Sequence, residues 1–585
     1  MIGEGAPALA ATNTRWGAMI IEELRRLGVP LFCMSPGSRS TPLTAAVAAR
    51  PDLPQRVITD ERGAAFCALG ASKATGQPAV LITTSGTAMA NAYPAVIEAE
   101  RSGVPLLLLS TDRPTELRES GANQTIDQVK LFGDRVRWFA ELPPPGSGYP
   151  APAALTTLDE AVHRARCAPA GPVHLNLQFR EPLGPADLGA LPDDPRLDTW
   201  RTADTPWTRI PTPHLAIDAA TEDDAARQIA SARRGLLVIG AAGPGAPTPA
   251  IEDLAAALGW PVYADVGAGL AIRRSVRCLP LLDYLLASPD FQAEAAPDVI
   301  VHVGGPVVSK RYLRWLHAHP PQKHILLRGD PRRHDPSHST TLRLHASLDQ
   351  GARQLADAVR AAQPQIDVAW RDRLLETHRQ AAARADDRLG QTPGLHEPGI
   401  ARLVSEEAEA LFVGNSMPIR DTDLFGRPRP ERLAVQRGAS GIDGLIATAA
   451  GWADGHGRPT VALLGDLSTL HDVSSLTLLA QQTVPLKLVI VNNGGGGIFS
   501  FLPVSGFRAG FETHFATAHP FGFAQLAKAF GIPYRCPRDL DALRDALREP
   551  DTATMIIEVI TDRASNIALH RALLADVSQA AQRTA

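Results

Sequence analysis

Short apolar runs alternate along this chain with longer stretches in which apolar residues recur every three to four positions. The runs at 106–109 and 488–491 are continuous and rich in Leu, Val and Ile, as expected of strands buried on both faces of a parallel sheet. The periodic stretches between such runs fit amphipathic crossover helices. In the first part the pattern predicts a helix over 13–27, strands over 31–34 and 57–60, and a helix over 62–74. A strand over 79–83 follows, then a helix capped by Ser85 and running to 99, a strand over 104–110, a helix over 158–167 and a strand over 173–177. Strands alternating with helices build βαβ units.

Periodicity fades over 182–213, where Pro, Asp, Gly and Thr dominate. It resumes with strands over 235–240, 261–264, 299–303 and 325–327, a helix over 251–258 and a charged helical stretch over 348–389. A second break covers 391–398, and strands over 410–413, 433–435, 460–464, 486–491 and 554–559 complete the pattern. The chain therefore reads as α/β, with three consecutive open, mainly parallel-sheet domains. The expected boundaries are a first domain 1–185, a linker 186–212, a central domain 213–360, a helical crossover and linker 361–398, and a C-terminal domain 399–585.

Composition narrows the function without naming it. A net charge of −4 with no basic block gives no footing for nucleic acid or an anionic membrane surface. The apolar runs are too short to span a bilayer. The start of the chain carries Glu4 and no continuous apolar stretch, so it does not read as a signal peptide. Cys33, Cys67, Cys167, Cys278 and Cys536 form neither a zinc pattern nor a CxxC pair, and read as reduced thiols of a cytoplasmic protein.

The strongest chemical signal lies in the third part. Gly465-Asp466 follows the strand 460–464, and Asn492-Asn493 follows the strand 486–491. Their separation leaves room for one crossover helix, over 473–481, and the next parallel strand. Both side chains then reach the carboxyl edge of one sheet, where open α/β sheets bind ligands. A diphosphate carries several negative charges, which Mg2+ partly neutralises through hard oxygen donors in near-octahedral geometry. Asp466 offers a carboxylate and Asn493 an amide oxygen. The loop Gly494-Gly495-Gly496-Gly497 lets backbone approach closely, so the Gly495 carbonyl can complete the set.

This pattern resembles that of thiamine-diphosphate enzymes, with Gly465-Asp466-Leu467 in place of their usual Gly-Asp-Gly. The resemblance implies thiamine diphosphate with Mg2+, for which Mn2+ can substitute. It also implies a glutamate that hydrogen-bonds the cofactor's aminopyrimidine, and Glu61, just after the strand 57–60, fits that place. In such enzymes the first and third domains of different subunits face each other across the cofactor, which implies a homodimer or homotetramer.

Several segments further resemble the 2-succinyl-5-enolpyruvyl-6-hydroxy-3-cyclohexene-1-carboxylate synthase family. They are Ser35-Pro36-Gly37-Ser38-Arg39-Ser40-Thr41-Pro42-Leu43, Asp60-Glu61-Arg62-Gly63-Ala64-Ala65-Phe66, Thr84-Ser85-Gly86-Thr87-Ala88, Ser110-Thr111-Asp112-Arg113-Pro114 and Ala122-Asn123-Gln124-Thr125-Ile126. The C-terminal set is Gly414-Asn415-Ser416-Met417-Pro418-Ile419-Arg420, Arg437-Gly438-Ala439-Ser440-Gly441-Ile442-Asp443-Gly444, Gly465-Asp466-Leu467-Ser468 and Ile498-Phe499-Ser500-Phe501-Leu502-Pro503. The match covers the first and third domains and thins to patches such as Ser309-Lys310-Arg311 in the middle.

The resemblance implies decarboxylation of 2-oxoglutarate and 1,4-addition of the remaining unit to isochorismate, a step of menaquinone biosynthesis. Both substrates are dicarboxylates, and arginine offers the bidentate fork such groups need. By resemblance, Ser38, Arg113, Lys310, Arg311, Arg420 and Arg437 bind substrate, while Arg39, Gln124 and Ser416 join Glu61 in catalysis. Ile442 props the cofactor in its bent form, and Gly465, Ile498, Phe499 and Leu502 complete its surroundings. Two departures are Gly494, where the family often has a third Asn, and Gly497, where it often has a polar residue.

Two other readings stay open. An acetolactate-forming or 2-oxoacid-decarboxylating enzyme would use monocarboxylates and need fewer cations than the Arg39 and Arg113 segments supply. A non-catalytic nucleotide- or effector-binding scaffold would need a better fingerprint than Gly240-Ala241-Ala242-Gly243-Pro244-Gly245, which is not GxGxxG.

Overall fold

A computed structural model describes residues 6–146, 148–243, 249–274 and 277–582, without the side chains of 6 and 7. Glu4 and the Pro244-Gly245 end of the glycine-rich loop lie outside the described residues. The chain divides into two compact units, one of 1–213, 436–457 and 471–483, the other of 214–435, 458–470 and 484–585.

The first unit carries β1 (Phe32–Met34), β2 (Gln55–Val57), β3 (Ala79–Thr83), β4 (Leu106–Asp112), β5 (Trp138–Leu142) and β6 (Pro172–Gln178), in the order β2-β1-β3-β4-β6-β5. The second unit carries two sheets. One holds β7 (Gly235–Ile239), β8 (Val262–Ala264), β9 (Val299–Val303), β10 (Lys323–Arg328) and β11 (Leu342–His345), ordered β11-β10-β9-β7-β8. The other holds β12 (Ala410–Val413), β13 (Arg432–Val435), β14 (Thr460–Gly465), β15 (Leu486–Asn492), β16 (Tyr534–Arg535) and β17 (Met555–Ile560), ordered β13-β12-β14-β15-β17-β16. Every strand pairing is parallel.

The physics behind the apolar runs is visible in β4, β6 and β15, which are buried along their whole length. A strand with helices on both faces has no polar side, so alternation disappears. The first and third sheets repeat one strand order, with the order reversing between β1 and β3 and again between β12 and β14. Such reversals open a crevice at the carboxyl ends of the strands. Arg39 follows β1, Arg113 follows β4, Ser416 follows β12 and Asp466 follows β14, so these candidates sit at carboxyl edges.

Local departures from the sequence pattern have physical causes. The strand expected over 57–60 lies at Gln55–Val57, because the Asp60 side chain instead accepts the Arg62 N–H and caps the helix Glu61–Thr75. The helix expected from Ser85 to 99 is two helices, Thr87–Ala90 and Tyr93–Ser102. Ser85 caps neither; Gly86 precedes the first with φ +83°, and Pro94 opens the second. The helical stretch expected over 348–389 is likewise two helices, Leu348–Ala362 and Val368–Gln391, interrupted by Gln363 at φ +44° and Pro364.

The helix Glu61–Thr75 packs within its unit against Leu445–His456 almost backbone to backbone. A Cβ on Gly70 would lie 2.1 Å from the Thr448 carbonyl oxygen, and one on Gly451 would lie 1.9 Å from that of Cys67. Cys33 and Cys67 are free and buried, and burial with Cys67 alongside pushes the Cys33 thiol well up, which keeps it unreactive. Among the described residues no helix is long and apolar enough to cross a membrane.

Candidate active site

β14 and β15 are neighbours, with Gly465 opposite Val491. Their register brings Asp466 and the loop after Asn492 to one edge. Asp466 is 2% exposed. Its Oδ1 accepts the Leu467 N–H at 2.6 Å and its Oδ2 accepts the Gly495 N–H at 2.9 Å. His519 Nε2 stands 3.3 Å from Oδ2. Burial pushes the Asp466 acid above the usual carboxylate range, against the opposite pull of these N–H groups and His519.

The Asn pair divides its work. Asn492 is structural: its amide donates to Glu558 Oε1 at 2.6 Å and to the Phe521 carbonyl at 3.0 Å. Asn493 Nδ2 donates to Glu397 Oε1 at 2.8 Å, while Asn493 Oδ1 is buried with no hydrogen-bond partner among the described residues. A buried acceptor without a donor is costly unless a ligand completes it. Among the described residues no three His, Cys, Asp or Glu cluster for a metal. The donors at this edge are instead carboxylate, amide and carbonyl oxygens, the hard set that suits Mg2+.

The glycine loop is shaped by contacts. Gly495 has φ +145°, and a Cβ there would lie 2.5 Å from the Ala516 carbonyl oxygen. Gly494 has φ +71°, a left-handed position that Asn also tolerates, so its departure from the family costs the loop nothing in backbone shape. A Cβ on Gly497 would meet Asn493 Nδ2 at 2.8 Å, so a side chain there would displace the amide. Ile498 and Phe499 follow half-buried, and Leu502 is 38% exposed. Ser416, after β12, holds φ +69° and its carbonyl accepts from Arg420 at 2.5 Å. Strain of this kind in a serine persists only where the surroundings fix it.

In the first unit Arg39, Arg113 and Gln124 come together. Arg39 is 5% exposed; its guanidinium donates to the Phe179 carbonyl at 2.9 Å and to Glu181 at 2.7 Å, and its Nε has no partner among the described residues. Arg113 donates to Ser85 Oγ and, at 2.6 Å, to the Gln124 carbonyl. Burial and the Arg39 charge lower the Arg113 pKa, so two cations face one region. That is an electrostatic invitation to an anion. Glu181 is the carboxylate now on Arg39, and its side chain is 71% exposed. Gln124 has φ +54° and donates to the Ser85 carbonyl at 3.1 Å. Ser38 is exposed on the same turn as Arg39.

Glu61 opens its helix, where Asn91 Nδ2 donates to it at 3.1 Å. The loop carrying Arg437 and Ile442 is pinned by Glu98, whose carboxylate accepts the Gly438 and Ala439 N–H groups at 2.9 and 2.6 Å. Ile442 is 37% exposed. In the second unit Lys310 is exposed at the start of the helix Lys310–Ala318. Arg311 pairs with Asp283 at 2.5 Å and lies over the Tyr284 ring. Ser85, Glu98, Glu181, Glu397 and His519 were not predicted from sequence. Only Ser85 carried a signal, and it pointed to a helix cap.

Three family models match the chain: "Thiamine pyrophosphate enzyme, N-terminal TPP binding domain" over 14–131, "Middle domain of thiamine pyrophosphate" over 194–413, and "Thiamine pyrophosphate enzyme, C-terminal TPP binding domain" over 422–559. The chain is 46% identical over 574 residues to the 2-succinyl-5-enolpyruvyl-6-hydroxy-3-cyclohexene-1-carboxylate synthase of Rubrobacter xylanophilus, covering 96% of this chain and 98% of that one. It is 42% identical over 579 residues to the protein of the same name from Chlorobaculum tepidum, covering 96% and 97%. For that of Salinibacter ruber the identity is 40% over 577 residues, covering 97% of each.

Proposed function

The chain belongs to the 2-succinyl-5-enolpyruvyl-6-hydroxy-3-cyclohexene-1-carboxylate synthase family of thiamine-diphosphate enzymes, and from that premise we propose which residues perform its reaction. The protein is a thiamine-diphosphate-dependent transferase of menaquinone biosynthesis. In the proposed reaction 2-oxoglutarate loses CO2 and its remaining four-carbon unit adds to isochorismate.

Asp466, Asn493 and the Gly495 carbonyl would hold Mg2+, or Mn2+ in its place, against the cofactor diphosphate. The observation that carries this reading is the buried Asn493 Oδ1, without a partner among the described residues, on the same sheet edge as the Asp466 carboxylate. When bound, thiamine diphosphate supplies a nucleophilic carbon for the 2-oxoacid. Glu61 holds a proton at the aminopyrimidine ring nitrogen. Arg39 and Arg113 bind substrate carboxylates through their paired positive charge, with Lys310, Arg311, Arg420 and Arg437 as further cations. Ser38, Gln124 and Ser416 donate hydrogen bonds to substrate or intermediate. Ile442, Ile498, Phe499 and Leu502 line the cofactor and exclude water, and Gly465 keeps the strand end open beside it.

A second copy of the chain would supply Glu61 across the interface, making the active species a homodimer or homotetramer. The pyrimidine-binding region is taken as 1–185, the central domain as 213–360 and the diphosphate-binding region as 399–585. We place the enzyme in the cytoplasm, acting on small molecules without nucleic acid. Turnover measured with 2-oxoglutarate and isochorismate, with and without thiamine diphosphate and Mg2+, tests this function. Cofactor-dependent loss of both substrates supports it; turnover of pyruvate alone would favour the acetolactate-forming alternative.

A further inference from the structure

Glu397 is buried in the second unit, 3% exposed, at the start of the helix Glu397–Glu407. No feature of the sequence ties it to chemistry. Its Oε1 accepts from Asn493 Nδ2 at 2.8 Å and from Thr561 Oγ1 at 3.3 Å. Thr561 is itself fixed, since its backbone N–H donates to the Asn492 carbonyl at 2.9 Å.

A primary amide has two ends of similar size and opposite hydrogen-bonding character. Which end faces a cation decides whether the residue is a ligand or a repulsive dipole. Glu397 Oε1 takes the NH2 end of Asn493. Burial and the nearby Asp421 push this acid up to about 7, and in its ionised form it accepts only, so the reversed amide would set oxygen against oxygen in a buried site. Gly497 leaves room for the Asn493 amide, since a Cβ there would lie 2.8 Å from Nδ2. The NH2 end is thus held by its hydrogen bond to Glu397, and Oδ1 is left as the buried acceptor without a donor among the described residues.

We propose that Glu397 is a positioning residue of the metal site, selecting the orientation in which Asn493 presents its oxygen to the divalent cation. This rests on the reading of Asn493 as a metal ligand. Polar groups behind metal ligands orient them and tune affinity in this way.

Mn2+ binding to the full-length protein with thiamine diphosphate, followed by electron paramagnetic resonance, tests it without reference to turnover. Glu397→Ala should weaken Mn2+ by about 10–100-fold. Glu397→Gln, whose amide oxygen can still accept from Asn493 and Thr561, should bind within about threefold of the parent. Asn493→Asp offers a test that does not depend on emptying the Glu397 pocket. A second carboxylate at 493 is intrinsically a better Mn2+ ligand, but here it would face Glu397, so Asn493→Asp should bind more weakly than the double variant Asn493→Asp/Glu397→Gln. Equal affinities for that pair, or parent-like affinity for Glu397→Ala beside a weakened Asn493→Ala, would overturn the role of Glu397 and leave Asn493 as a ligand. Parent-like affinity for Asn493→Ala would remove the ligand reading itself.

Discussion

The Asp466 carboxylate accepts the backbone N–H of Gly495 at 2.9 Å, which joins the residue after β14 to the glycine loop after β15. One side chain therefore shapes the loop and offers charge to a cation. Removing it should undo both. For Asp466→Ala, calorimetric titration should show Mg2+-dependent thiamine diphosphate affinity falling on the order of 100-fold, because the only full negative charge of the proposed donor set is lost. Unchanged affinity would mean that the cation sits elsewhere.

Glu61 acts in a different step. Glu61→Gln keeps the shape of the helix start and its contact to Asn91, but cannot hold a transferable acidic proton. Cofactor affinity should stay within a few-fold, while kcat drops by about 10²–10⁴-fold, the range for a lost acid–base group. Full turnover by this variant would take Glu61 out of the mechanism.

Arg39 and Glu181 make opposite predictions. Arg39→Ala should cut kcat/KM for 2-oxoglutarate by about 10–100-fold, the worth of one charge-assisted contact, with thiamine diphosphate affinity unchanged. Glu181→Gln removes only the carboxylate that now occupies Arg39, so kcat/KM should hold or rise. A collapse of both variants to the same level would make the Arg39–Glu181 pair structural.

Asp159 gives a prediction on stability. It lies beside Glu23, whose carboxylate is taken by the Trp200 and Trp207 N–H groups at 2.6 Å each. Burial and Glu23 push the Asp159 acid up to about 8. The folded protein thus keeps a proton that the unfolded chain gives up near pH 4. The Asp159 contribution to stability should be complete below that pH and fall as pH rises from about 4 to about 8. Asp159→Asn cannot ionise, can still accept the Thr208 N–H and can donate to Glu23. Denaturant melts should find it more stable than the parent at pH 8, by on the order of a few kcal/mol, with the gap closing at pH 4. A less stable variant at pH 8 would mean that Asp159 is ionised in the fold.

What the sequence disclosed follows from how local each signal is. β4 and β15 are continuous apolar runs because both faces are covered, so they stand out in one dimension. β5, β11 and β16 are edge strands with half-exposed faces, so none of them forms the continuous apolar run that marks β4 and β15. Asp466 and Asn493 are legible because each follows a readable strand. Glu397 is not: it lies in a stretch that reads as a break, and only the fold brings it to Asn493. The same holds for Glu181 against Arg39. Side chains that orient a site come from remote parts of the chain, and their spacing carries no pattern.

In the proposed site Asp466 and Asn493 share one divalent cation. Anomalous diffraction from crystals grown with Mn2+ and thiamine diphosphate measures this directly. One peak within coordination distance of Asp466 and Asn493 Oδ1, about 2.0–2.3 Å, is the expected result. No peak there, with cofactor visibly bound, would contradict it.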